Sequence, residues 1–127
     1  LQLGYSLAQV KEVYPDIKFI KSSNLRGEYL CGMGIMCYVY GTDGLRLTFQ
    51  KTKTEYELIQ IHVISDKYPT ARGIKVGSSV EKVIEAYGGE KPTTDRPGMQ
   101  YDYAPYIWFT IDMDKMVVKR ITISYGD

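Results

Sequence analysis

A helix start is spelled twice in this chain, and that repetition constrains the fold more than any other feature. Residues 4–14 read G-Y-S-L-A-Q-V-K-E-V-Y and residues 77–87 read G-S-S-V-E-K-V-I-E-A-Y. Gly4 matches Gly77, Ser6 matches Ser79, Val10 matches Val83, Glu12 matches Glu85 and Tyr14 matches Tyr87. Each copy makes physical sense as a short helix. Ser6 and Ser79 are placed to act as N-caps, their hydroxyls accepting from first-turn amides, and Gln9 completes a capping box with Ser6. Apolar residues then recur on one helical face, at Leu7, Val10 and Tyr14 and at Val80, Val83, Ile84 and Tyr87. Pro15 and the Gly88-Gly89 pair end the two helices.

After each helix the apolar period shortens to two. Leu45, Leu47 and Phe49 alternate with Arg46 and Thr48, and Ile59, Ile61 and Val63 alternate with Gln60 and His62. Downstream, Ile107, Phe109 and Ile111 alternate with Trp108 and Thr110, and Ile121 and Ile123 alternate with Arg120, Thr122 and Ser124. Each set reads as a hairpin with one apolar face, turning through Lys51 to Glu55 in the first and Asp112 to Lys115 in the second. Further strands are expected at Ile17 to Lys21, over a stretch ending in Met36-Cys37-Tyr38-Val39-Tyr40, and at Met99 to Tyr103. A loop from Ser65 to Gly73 separates the copies. The expectation is an α+β fold of two tandem helix-plus-antiparallel-strand units, residues 1–72 and 73–127. Neither unit alone covers its apolar face, so the two are expected to join into one curved antiparallel sheet with both short helices on one side.

Composition narrows the class. A hydrophobic share of 44% against 24% charged residues is the balance of a soluble globular domain, and 127 residues match one such domain. The net charge of +1, spread without blocks, gives no electrostatic footprint for nucleic acid or an anionic membrane. Apolar runs such as Ile35 to Tyr40 fall far short of the about 18 residues that a spanning helix needs. The chain opens at Leu1 inside the first copy of the motif, which leaves room for a leader, a lipid anchor or a further domain upstream. Cys31 and Cys37 are the two cysteines. On one continuous strand they stand roughly 20 Å apart, too far to bond, whereas a turn at Gly32-Met33-Gly34 brings them closer. A disulfide and a pair of buried free thiols both remain open.

Pleat alternation sorts the remaining side chains. With the isoleucines and phenylalanines facing the helices, Arg46, Tyr56, His62, Tyr106, Trp108, Thr110 and Arg120 turn to the other side, and the same parity carried through the preceding strand adds Tyr38 and Tyr40. Tyr101 and Tyr103 are compatible with either face. Tyr and Trp combine large contact area with a polar tip, so a face holding several of the twelve tyrosines and the single Trp reads as a recognition surface. Arg46 and Arg120 serve there as interleaved anchors. The competing readings are ordinary cross-strand pairs that stiffen the sheet and rings covered by other parts of a larger protein.

No catalytic constellation emerges. His62 is the lone histidine, and parity sets it on the face opposite Cys37, which excludes a Cys-His nucleophile. Asp112 and Asp114 sit where a hairpin turn favours Asp, without the Gly and distal Glu of a calcium loop. The glycines at 32, 34, 41 and 44 do not lead from a strand into a helix, so they build no phosphate cradle, and Asp43-Gly44 reads as a tight turn. No cofactor and no enzymatic activity are expected. A small-molecule pocket between sheet and helices is the outlying alternative.

The doubled Gly-x-Ser-x-x-x-Val-x-x-x-Tyr phrase, with Arg72-Gly73-Ile74-Lys75-Val76 leading into the second copy, resembles the β-lactamase-inhibitor-protein-like superfamily. Its members include tandem β-lactamase inhibitor proteins and small outer-membrane assembly lipoproteins of the BamE type. The resemblance implies an extracellular or cell-envelope bacterial protein that holds a protein partner on a concave sheet face. The inhibitors present aromatics and a loop aspartate to their target; no motif aligns those positions with this chain, so Tyr38, Tyr40, Asp43, Tyr106 and Trp108, with Arg46 and Arg120, are the candidate partner-binding residues on parity alone. The inhibitors carry a disulfide in each unit, and the second unit here has no cysteine. The expected function is a non-enzymatic extracytoplasmic protein-binding module, with a structural spacer of a larger surface protein as the alternative.

Overall fold

The computed structural model describes residues 3–22, 37–51, 56–101 and 106–124. In chain order the elements are α1 (Leu7–Val13), β1 (Lys18–Ser22), β2 (Cys37–Thr42), β3 (Leu45–Lys51), β4 (Tyr56–Val63), α2 (Val80–Tyr87), β5 (Gly98–Tyr101), β6 (Tyr106–Asp112) and β7 (Val117–Ser124). The strands form one seven-stranded sheet in the order β1-β2-β3-β4-β7-β6-β5.

This corrects the expected fold class. Two helices of seven and eight residues are outnumbered by seven strands, so the chain is chiefly an antiparallel β fold and not an α+β fold of paired units. The tandem-repeat description falls with it, because three strands follow α1 before β4 and three follow α2, with unlike lengths and registers. What the two copies share is confined to the helix starts. Gly4 N–H donates to Leu58 O at 2.8 Å and Leu58 N–H to Tyr5 O at 2.8 Å; Gly77 N–H donates to Val118 O at 2.7 Å and Val118 N–H to Ser78 O at 2.9 Å. Gly4 and Gly77 take φ of 93° and 96°, a region that a Cβ disfavours, which explains the glycine in the phrase. Two residues on, Ser6 Oγ accepts from Gln9 N–H and Ser6 N–H donates to Gln9 Oε1, a full capping box, while Ser79 Oγ accepts from Lys82 N–H at 3.2 Å.

By compactness the chain divides between Ile61 and His62, inside β4. In the first unit, β2 and β3 pair across the two-residue Asp43-Gly44 turn, with Thr42 opposite Leu45, Tyr40 opposite Leu47 and Tyr38 opposite Phe49. Residues directly opposite share a face. Tyr38 and Tyr40 therefore lie on the face of the buried Leu45, Leu47 and Phe49, while Arg46 lies on the other face with Val39 and Gly41. That reverses the parity expected for the two tyrosines. A two-residue turn always sets an even position of one strand against an odd position of the next, and carrying parity unchanged across it inverts the assignment. Both faces are substantially covered here, since Cys37 and Thr48 are buried on the Arg46 side.

In the second unit, Met99, Phe109 and Ile121 stand abreast across β5, β6 and β7, flanked by Ile111 and Val118. α2 presents Val80, Val83 and Tyr87 as its buried residues, and the Tyr87 ring meets Phe109 at 5.3 Å and Tyr101 at 5.2 Å. Tyr101 thus belongs to the helix-facing side, where its hydroxyl donates to Gly88 O at 2.7 Å. Tyr87 donates to Thr70 Oγ1 at 3.0 Å, and the Arg72 guanidinium lies 4.7 Å above its ring. Arg120, Thr122 and Ser124 pair with Thr110, Trp108 and Tyr106 on the side opposite Phe109, and β7 bulges only beyond them, at Lys119. No helix among the described residues is long and apolar enough to cross a membrane.

Candidate functional site

Two aromatic constructions stand out, one in each unit. In the first, four strands contribute rings to one face. Phe19 of β1 meets Tyr40 of β2 at 5.6 Å, Tyr40 meets Phe49 of β3 at 5.6 Å, and Tyr38 meets Tyr56 of β4 at 4.9 Å, each edge to face. This geometry suits the ring quadrupoles. Phe49 is fully buried, Tyr38, Tyr40 and Tyr56 are half-buried, and Phe19 is 54% exposed. Burial, followed by the nearby phenols of Tyr56 and Tyr38, raises the Tyr40 pKa above 10.0.

Phe19 escapes sequence reasoning because β1 bulges between Phe19 and Lys21, so alternation alone does not fix its face. Arg46 does not join the row. Its Nη1 donates to Leu45 O at 2.9 Å, and the guanidinium lies over Gly41, where an added Cβ would come 2.9 Å from Nη1. Arg46 therefore clasps the β2–β3 hairpin. Asp43 is exposed at the hairpin tip.

In the second unit, Trp108 and Arg120 lie on the side of β6 and β7 opposite Phe109, together with Tyr106, Thr110 and Thr122. Trp108 is opposite Gln100 on β5 and Thr122 on β7. Its indole reaches across to Gly98, where an added Cβ would meet Cζ2 at 2.2 Å and Cε2 at 2.6 Å. The benzenoid ring thus rests on the glycine backbone, a contact only Gly permits, and Trp108 remains 38% exposed. Gln100 and Arg120 are exposed beside it, and Tyr106 is half-buried. His62 Nδ1 and Thr122 Oγ1 are 3.0 Å apart. Burial, and then the Arg120 guanidinium, lower the His62 pKa below 6.5. Gln100 is a member of this surface that alternation had not singled out, and the signal for it is the glycine two residues earlier that seats the indole.

Other candidate chemistry resolves into structure. Cys37 is fully buried and disulfide-bonded, which settles the open alternative for the thiols; Cys31 lies outside the described residues, as do Gly32 to Gly34 and Tyr103. Asp112 Oδ1 accepts from the N–H groups of Asp114 and Lys115 at 3.0 and 3.3 Å, the work of a turn residue. No cluster of His, Cys, Asp and Glu suited to a metal occurs among the described residues. A polar groove of about 230 Å³ runs beside β5, lined by Lys91, Thr93, Arg96, Met99 and Gln100 among others. It is smaller than the roughly 300 Å³ at which small-molecule pockets begin.

No protein-family model, curated protein or solved structure matches the chain. The resemblance drawn from the doubled phrase, and with it secretion and lipid anchoring, has no support from relatives.

Proposed function

We propose that this chain is a non-enzymatic binding module that works outside the cytoplasm and holds a protein partner on the ring row of its first unit. The observation that carries the reading is a chain of ring contacts from buried Phe49 through half-buried Tyr40 to solvent-exposed Phe19, with the Tyr38–Tyr56 pair beside it on the same face. Interfaces draw their binding energy from such aromatics, fixed in place beforehand by packing and so costing little side-chain entropy. The location outside the cytoplasm rests on the disulfide at Cys37, since reducing compartments keep most thiols free.

Phe19→Ser is the discriminating variant, because an exposed ring contributes little to folding. The wild-type chain, used as bait in a cross-linked extract of the cell envelope, should retain a protein that Phe19→Ser loses, with unchanged melting temperature. The loss should correspond to about 2 kcal/mol, as for a hot spot. Equal retention by both forms would leave the row a purely structural stack, as in a spacer domain.

A further inference from the structure

The outer face of the second unit differs in kind from the ring row. Trp108 forms an aromatic platform, with one side of its benzenoid ring laid on Gly98, the residue 38% exposed, and half-buried Tyr106 two residues along β6 on the same face. Its in-register neighbours are Gln100 on β5 and Thr122 on β7, and two residues along β6 is Thr110, paired with Arg120. Every one of these carries a polar side chain. A protein hot spot has the opposite layout, with the ring sunk among apolar groups and the polar residues at the rim.

A flat ring bordered by an amide, hydroxyls and a guanidinium fits a different ligand. A pyranose presents a nearly flat patch of C–H groups to stack on an indole through dispersion, while its hydroxyls point outward at the edges of that patch, toward such neighbours. Charge narrows the choice further. Arg120 is exposed on this face and lies diagonal to Trp108 across the sheet. Among the described strand positions sharing the face, the one carboxylate is that of Asp112 at the end of β6, and its Oδ1 is bound into its own turn. The residue directly across from Arg120 is Thr110, and an exposed guanidinium so placed favours a ligand that supplies an acid.

We propose that the Trp108 platform is a binding site for an anionic saccharide, a pyranose bearing a carboxylate, with its C–H face stacked on the indole and its carboxylate paired to Arg120. This site is independent of the ring row in the first unit, and neither reading depends on the other.

Trp108 is the only tryptophan, so its fluorescence reports the site directly. The whole chain is titrated with trigalacturonate, with maltotriose as a neutral sugar and with a triglutamate peptide as an acid lacking the sugar face. Trigalacturonate should shift the Trp108 emission and saturate below about 10 mM, with the other two at least about tenfold weaker. Arg120→Gln should remove most of the preference over maltotriose. Trp108→Ala, followed by calorimetry, should abolish binding of both sugars while leaving the melting temperature within a few degrees. The proposal is overturned if trigalacturonate gives no shift, if triglutamate binds as well, if Arg120→Gln leaves the preference intact, or if a folded Trp108→Ala chain still binds.

Discussion

Single residues fix the helix starts through backbone geometry. At Gly77 no atom lies within 4 Å of where a Cβ would stand, so Gly77→Ala tests the φ of 96° with no steric clash mixed in. We expect a loss of about 1 to 2 kcal/mol in urea unfolding, and an unchanged midpoint would remove the backbone explanation for the doubled phrase. Ser79→Ala should cost about 1 kcal/mol through its lost cap bond to Lys82 N–H. His62 ties folding to pH. Its pKa is lowered in the folded chain, so above 6.5 the imidazole is neutral in both states and its contribution is complete. As pH falls below 6.5 and through the lower folded value, the unfolded chain takes up a proton first and that contribution is lost. Stability should therefore drop as pH falls through 6.5, and His62→Gln should flatten the part of the drop due to this group. Identical slopes in the two proteins would exclude His62 as the source.

At the scale of elements, the contact between β5 and β6 rests on a glycine. Gly98→Ala would place a methyl group inside the Trp108 indole, so the ring must lift from the strand. The emission of Trp108 should move to the red, with a loss of roughly 1 to 3 kcal/mol. Tyr87→Phe removes the bond to Thr70 but keeps the ring between Tyr101 and Phe109, and should cost about 1 kcal/mol by thermal unfolding. Much at this scale was legible in the sequence. The caps at Ser6 and Ser79 follow from local chemistry, and the outward placing of Trp108, Thr110 and Arg120 follows from alternation because the β7 bulge at Lys119 falls beyond the positions that set it. The inversion of Tyr38 and Tyr40 was also legible, through the Asp43-Gly44 turn, had turn length been allowed to set the register. The bulge beside Ile20 was not, since it answers to tertiary pairing and leaves no mark in a run of alternating residues. Burial in β4 likewise breaks step, with Leu58 and Ile61 both buried three positions apart, so the expected inward turn of Ile59 is only partly realised.

For the molecule as a whole, the doubled helix start suggested equal halves, whereas strand pairing is decided by register and neighbours, which two short matching segments do not specify. The covalent constraint is also unevenly placed. Cys37 is disulfide-bonded, and that bond should contribute roughly 2 kcal/mol. Unfolding with and without a reducing agent measures that directly, and no difference would mean that the fold holds as well without it. Among the described residues β1 is a terminal strand of the sheet, and it carries Phe19 and Ile20 at 54% and 44% exposure. A straight strand with that much exposed hydrocarbon would template fibrils, chain upon chain. The extra residue at Ile20 kinks it, so that another backbone finds no continuous ladder to extend. The bulge can thus be read as a solubility device, which lets the protein keep a sticky ring at its margin without polymerising through it.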